Sequence, residues 1–171
     1  PSMKLEEAIT TALRYENQLR DIYLQGALDS TDPTGKKVFQ DLADDEQSHV
    51  DYLENALQKW KETGRIAAEE LESTIPPLEV IRKEAAKVSS HMSEEDRGVQ
   101  QQQLSKALKV EKETSRFYQQ LVAELPEEAR AMFSRFLEIE NAHIEAVQFE
   151  LDYVSHNGTW FGFEEFDLEV E

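Results

Sequence analysis

Glu46-Gln47-Ser48-His49 and Glu140-Asn141-Ala142-His143 repeat one pattern, a glutamate three residues ahead of a histidine. Residues three apart share a helix face. Glu46 and His49 fall between Leu42 and Leu53, and Glu140 and His143 between Phe136 and Val147. On helices, all four therefore occupy the apolar stripe, from which charge is ordinarily excluded. Each motif also trails another glutamate, Glu16 by 30 residues and Glu111 by 29. Glu16 lies between Ile9/Ala12 and Leu19/Tyr23, and Glu111 between Leu108 and Tyr118, again in apolar stripes.

Around these motifs the chain reads as four long helices. The first is expected from about Met3 to Leu28, carrying Ile9, Ala12, Leu13, Leu19 and Tyr23 at helical spacing. Ser30-Thr31-Asp32-Pro33 is a stop and a new start, with Asp32 as N-cap and Pro33 at the first helical position. The second helix carries Phe39, Leu42, Leu53, Leu57 and Trp60, and Gly64 supplies its stop. Ser93, followed by Glu94, Glu95 and Asp96, opens the third, whose stripe is Leu104, Leu108, Tyr118 and Leu121. Pro126 opens the fourth, with Phe133, Phe136, Val147, Leu151 and Val154, and Gly158 closes it.

The stretch from Gly64 to Ser93 is far longer than the other connections. A helix of about 30 residues is roughly 45 Å long, and about 14 extended residues span that distance. The stretch can therefore return along the whole bundle, with room for a short helix near Pro77–Val88. The expected fold is all-α: a four-helix bundle of two antiparallel hairpins joined by a long crossover. The bundle is expected over 1–156, and 157–171 is a short aromatic and acidic tail rather than a domain.

The halves repeat. Ala12-Leu13-Arg14-Tyr15-Glu16 and Tyr23 match Ala107-Leu108-Lys109-Val110-Glu111 and Tyr118 at an offset of 95. Phe39, Leu42, Glu46 and His49 match Phe133, Phe136, Glu140 and His143 at an offset of 94. A repeat on this scale implies a duplicated hairpin related by a pseudo-two-fold axis. In an antiparallel hairpin, residues equidistant from the turn share a height. The midpoint of Glu16 and Glu46 is residue 31, and that of Glu111 and Glu140 falls between Leu125 and Pro126, each at an expected turn. All six side chains should converge near mid-bundle. Four carboxylates confined there repel strongly unless cations compensate, and two divalent cations neutralise them. Oxygen and imidazole donors together suit iron, manganese or zinc.

Composition narrows the function. The net charge of −18 argues against nucleic acid or an anionic membrane surface as partner. With no cysteine, the sequence offers no disulfide, thiol nucleophile or iron–sulfur ligation. No apolar run reaches the length of a membrane span and no signal peptide is visible, so a cytoplasmic location is expected. Met3 is expected to be the native start.

These residues resemble the rubrerythrin-like branch of the ferritin-like superfamily over Met3 to about Val154. One glutamate from each of two helices, plus Glu-x-x-His from each of the other two, is the carboxylate-bridged dinuclear arrangement of ferritin-like bundles. The resemblance implies a site for two iron ions, with manganese or zinc as substitutes, held by Glu16, Glu46, His49, Glu111, Glu140 and His143. It names Glu46 and Glu111 as bridging, with Glu140 an equal candidate. Tyr23 and Tyr118, each seven residues past a glutamate, resemble the family's tyrosines beside the site; ordinary core aromatics are the plain alternative. Two departures stand out. Rubrerythrins usually carry a four-cysteine rubredoxin domain, and this sequence has no cysteine, so electrons are expected from Fe(II) itself or an external donor. Rubrerythrins also usually place another glutamate three residues past the first ligand of the third helix, tied to peroxide reduction; here that position is Thr114.

The resemblance thus implies a di-iron oxidoreductase that reacts Fe(II) with O2 or H2O2, as a ferroxidase or peroxide reductase, in oxidative stress or iron homeostasis. An iron-storage or iron-handling protein and a non-catalytic bundle are the alternatives. Asp44 and Asp45 read as a solvated acidic face, with partnership to a ligand histidine the lesser reading. His91 and His156 read as exposed loop residues. Trp160, Phe161, Phe163 and Phe166 would leave an exposed apolar patch if free. They should fold back on their own bundle, pack on a second subunit to give a homodimer or other small homo-oligomer, or dock a cargo or redox partner.

Overall fold

A computed structural model describes residues 4–66, 71–73, 75 and 94–162. Four helices follow in order: α1 Leu5–Asp29, α2 Pro33–Thr63, α3 Glu94–Glu124 and α4 Glu127–Asn157. The described residues contain no strand. α1 pairs along α2, α3 pairs along α4, and α1 packs against α3, giving the bundle of two hairpins.

Local chemistry sets the helix ends. The Asp32 carboxylate accepts a hydrogen bond from the Gly35 N–H at 3.0 Å, and Pro33 sits in the first turn, where its missing N–H costs nothing. Gly64 and Gly158 end α2 and α4 at φ 67° and 68°, a left-handed conformation that a Cβ disfavours. Their N–H groups bond back to the carbonyls of Trp60 and Val154. At the α3–α4 corner, Pro126 takes the N-cap position and Glu127 and Glu128 follow at the positive end of the helix dipole.

The core is not continuous. One apolar cluster gathers Leu19, Tyr23, Phe39, Leu42, Leu104, Leu108, Val147 and Val154. Another, toward the opposite end of the bundle, gathers Ile9, Ala12, Leu53, Tyr118, Leu121, Phe133 and Phe136. The six glutamates and histidines singled out by the sequence lie between these groups along each helix, so a polar layer divides the core. The crossover bridges that layer: Leu71 joins the second cluster and Ile75 the first. Arg135 fixes it further by donating from Nε to the Leu71 carbonyl at 2.8 Å. The short helix expected near 77–88, His91 and the Ser93 cap lie outside the described residues. His156 is exposed. None of the described helices is long and apolar enough to cross a membrane.

The described part of the tail folds back on its own bundle. Trp160 is buried, edge-on to Phe39 at a ring-centroid distance of 5.2 Å. Its indole lies so close over Gly35 that a Cβ there would collide with it. Phe161 packs edge-on against Phe149 and Tyr153. Phe163 and Phe166 lie outside the described residues. The buried Glu150 carboxylate accepts the N–H groups of Phe161 and Gly162, at 3.1 and 2.8 Å. Burial pushes its pKa up to about 7, although both hydrogen bonds favour the ionised form and pull the other way.

A folded-state pKa above the usual carboxyl value means that folding favours the protonated acid. The stability from this group is full below pH ~4.5 and declines as pH rises through about 7. Glu150→Gln cannot ionise. Thermal melts from pH 5 to 8 should therefore show the variant gaining on the parent as pH rises, and a constant difference would contradict the assignment.

Candidate metal centre

α1 supplies Glu16, α2 supplies Glu46 and His49, α3 supplies Glu111, and α4 supplies Glu140 and His143. All six side chains are 0% exposed. The structure brings together every residue of the set marked by the sequence. His49 Nδ1 lies 3.3 Å from Glu46, 3.5 Å from Glu16 and 3.6 Å from Glu140. His143 Nδ1 lies 2.9 Å from Glu46 and 3.4 Å from Glu111. The two imidazoles stack with centroids 5.5 Å apart.

Both imidazoles turn Nδ1 toward the glutamates and Nε2 toward Asp45. Asp45 Oδ2 lies 2.6 Å from His143 Nε2 and 3.4 Å from His49 Nε2. Ser73 Oγ donates to the same oxygen at 2.8 Å. This corrects the reading of Asp44 and Asp45 as a solvated face. Asp44 is exposed, but Asp45 is buried, because one helical step of about 100° carries it from the outer face to the histidines. The sequence did hold a signal: Asp45 stands four residues before His49, the spacing of a helical side-chain pair. Its repeat mate is Ile139, so the pseudo-two-fold symmetry breaks here and one carboxylate serves both rings.

The tyrosines cross between hairpins. Tyr23 on α1 donates its hydroxyl to Glu111 at 2.6 Å, and Tyr118 on α3 donates to Glu16 at 2.7 Å. Burial and the adjacent carboxylates raise both phenol pKa values well above the ordinary range, so each remains a donor. Each tyrosine thus fixes one oxygen of a glutamate and leaves the other free to face inward.

The remaining charges sort into pairs. Burial, then the charge of Glu16, raises the Glu46 pKa; burial, then the charge of Glu111, raises that of Glu140. Glu16 and Glu111 go the other way. Burial alone would raise them, but hydrogen bonds from the Glu46 and Glu140 carboxyls, with the neighbouring histidines, outweigh it. Glu16 falls to about 2. Burial would lower both histidines, but the surrounding carboxylates raise them instead. Asp45 is held below its ordinary value because hydrogen bonds from both histidines exceed the effect of its burial. Without metal, the surroundings favour the protonated form of Glu46, Glu140, His49 and His143 and the ionised form of Glu16, Glu111 and Asp45.

Those protons leave donors to spare. With the carboxyls counted as carboxylates, Glu16 Oε2, Glu46 Oε2, Glu111 Oε2, both Glu140 oxygens and both His49 nitrogens lack a hydrogen-bond partner. Orphaned buried acceptors at this density fit a cation. Among the described residues three groups have donor atoms within 4.8 Å of one another: Asp45/His49/His143 on the far side of the rings, and Glu16/Glu46/His49/Glu140 and Glu46/Glu111/Glu140/His143 among the glutamates. The last two share Glu46 and Glu140, whereas Glu111 belongs to one alone.

A family model described as Rubrerythrin matches residues 7–151. The chain belongs to the rubrerythrin family. The match reaches from α1 into α4 and includes all six converging residues. No curated protein and no solved structure matches the chain. Thr114 lies on α3, three residues past Glu111. That side chain is buried, and its hydroxyl donates to the Val110 carbonyl of its own helix at 2.7 Å.

Removing the Asp45 charge takes the carboxylate from the Nε2 side of two buried histidines that their surroundings favour in the charged form. Asp45→Asn should cost the metal-free protein about 3 kcal/mol in urea unfolding at pH 7, and unchanged stability would refute the pairing.

Proposed function

We propose that the protein is a di-iron carboxylate oxidoreductase that reacts Fe(II) with O2 or H2O2. The observation that carries this reading is the pair of buried donor groups sharing Glu46 and Glu140. In this reading Glu46 and Glu140, common to both donor groups, would serve both iron ions, Glu16 and His49 would help hold one, and Glu111 and His143 the other. Manganese and zinc suit the same donors and could substitute. Two redox-active cations held there would supply the electrons that reduce the oxidant.

The chain's own part is electrostatic and geometric. Two divalent cations would offset the charge of the four glutamates, displacing the protons that the buried layer otherwise favours on Glu46 and Glu140. The His49 and His143 Nδ1 atoms, which face the glutamates, would donate lone pairs to the cations, while their Nε2 atoms face Asp45. Tyr23 and Tyr118 hold Glu111 and Glu16 in place. The apolar clusters on both sides keep bulk water from the layer.

Thr114 in place of the family's usual glutamate favours oxidation of Fe(II) as substrate over peroxide reduction. Electrons in this reading come from Fe(II) itself or from an external donor. We propose a small homo-oligomer as the assembly. Leu28, 74% exposed, and Leu24 beside it on α1 support it.

Anaerobic titration should load two Fe(II) per chain, and saturation at a thousandfold excess over Kd should stabilise the fold by about 4 kcal/mol. Because the four competing protons sit on groups with raised pKa values, metal affinity should fall as pH falls, with proton release on binding. No binding, or binding independent of pH from 6 to 8, would contradict the proposal.

Glu46→Ala and Glu140→Ala should each abolish O2-dependent Fe(II) oxidation, because each removes a donor from both sites. Thr114→Glu should raise peroxide turnover. Stopped-flow absorbance after separate O2 and H2O2 pulses measures both, and full activity in either alanine variant would exclude the shared-bridge reading.

A further inference from the structure

We propose that Ser73, on the crossover, is a positioning residue for both histidines, acting through Asp45, and that it couples docking of the crossover to metal occupancy. The inference rests on the metal reading of the centre.

Ser73 stands where the crossover passes the polar layer, between Leu71 in one apolar cluster and Ile75 in the other. It joins a continuous hydrogen-bond chain. The Ile75 N–H donates to Ser73 Oγ at 3.2 Å, and Ser73 Oγ donates to Asp45 Oδ2 at 2.8 Å. That same Oδ2 meets His143 Nε2 at 2.6 Å and His49 Nε2 at 3.4 Å. Serine has one hydroxyl proton, and here it is committed to the carboxylate. The seryl oxygen in turn is held by the Ile75 amide, so the direction of the bond is fixed from both ends. Bonds linked in this way polarise and strengthen one another.

The broken symmetry makes the residue consequential. Ile139 stands at the repeat position of Asp45, so the second hairpin has no carboxylate at the matching place. The Asp45 Oδ2 atom faces both imidazole rings, at 2.6 Å from His143 Nε2 and 3.4 Å from His49 Nε2. Ser73 pins that oxygen between them. The Nε2 direction of each ring then sets the Nδ1 direction toward the glutamates.

Coupling follows by reciprocity. If the docked crossover favours the ring geometry that binds metal, bound metal must favour the docked crossover by the same factor. Among the described residues, the Leu71 and Ile75 side chains and the Arg135 bond to the Leu71 carbonyl also attach the segment.

Anaerobic Co(II) titration of the metal-free protein tests this, with ligand-field absorbance recorded and hydrogen exchange followed at the Ile75 amide. Wild type should bind two Co(II), and binding should slow Ile75 exchange. Ser73→Ala should keep the stoichiometry, weaken affinity by about tenfold, shift the absorbance bands and lose the metal-dependent protection of Ile75. Ser73→Thr, which keeps the hydroxyl, should restore all three. If wild type binds two Co(II) and Ser73→Ala matches it in affinity and spectrum, the inference is overturned while the metal reading stands. If wild type binds no Co(II), the metal reading fails and the inference fails with it.

Discussion

The structure depends on a layer of buried negative charge that has to be offset. Four glutamates and an aspartate share one cross-section of a bundle otherwise filled with leucine, phenylalanine and valine. Isolated carboxylates in such a medium carry a penalty of several kcal/mol each. Protons on Glu46 and Glu140, charged histidines and tyrosine hydroxyls make the metal-free layer tolerable. They do so while leaving acceptor oxygens unused. A fold selected for stability alone would replace this layer with apolar side chains, since swapping buried ion pairs for packed hydrophobes is often neutral or stabilising.

The rest of the fold presents that layer. Turns at Asp32-Pro33 and Pro126 place each single glutamate at the height of its partner Glu-x-x-His motif. Contact between α1 and α3 carries Tyr23 and Tyr118 across to the opposite hairpin's glutamate. The crossover closes the side where Asp45 holds the histidines, and the tail buries Trp160 over the end of the bundle near Gly35. Duplicated hairpins account for two similar donor sets, and the Asp45–Ile139 difference accounts for their inequality.

Most of this was legible from spacing. A charged residue recurring in an apolar stripe is hard to mistake, so the four helices, the ends at Asp32, Gly64, Pro126 and Gly158, and the six converging residues could be read from periodicity and turn chemistry. The role of Asp45 was harder to read. It sits one step outside the stripe, among other acidic residues, and only the approach of α4 turns it from surface charge into a buried partner of His143. Ser73 was illegible for a different reason. The crossover has no periodicity, and its contact with Asp45 spans 28 residues of sequence. The tyrosines were visible as aromatics but not as partners of the opposite hairpin, because a hydroxyl's target depends on how the hairpins pack together. The family model adds weight to the same residues without deciding which oxidant meets them.

Anomalous diffraction at the iron edge from crystals loaded anaerobically with Fe(II) tests the central claim most directly. Two peaks should appear in the polar layer, about 3.5–4 Å apart, with Glu46 and Glu140 touching both. A single peak, or iron bound only to surface carboxylates while the six buried side chains keep their metal-free arrangement, would contradict it.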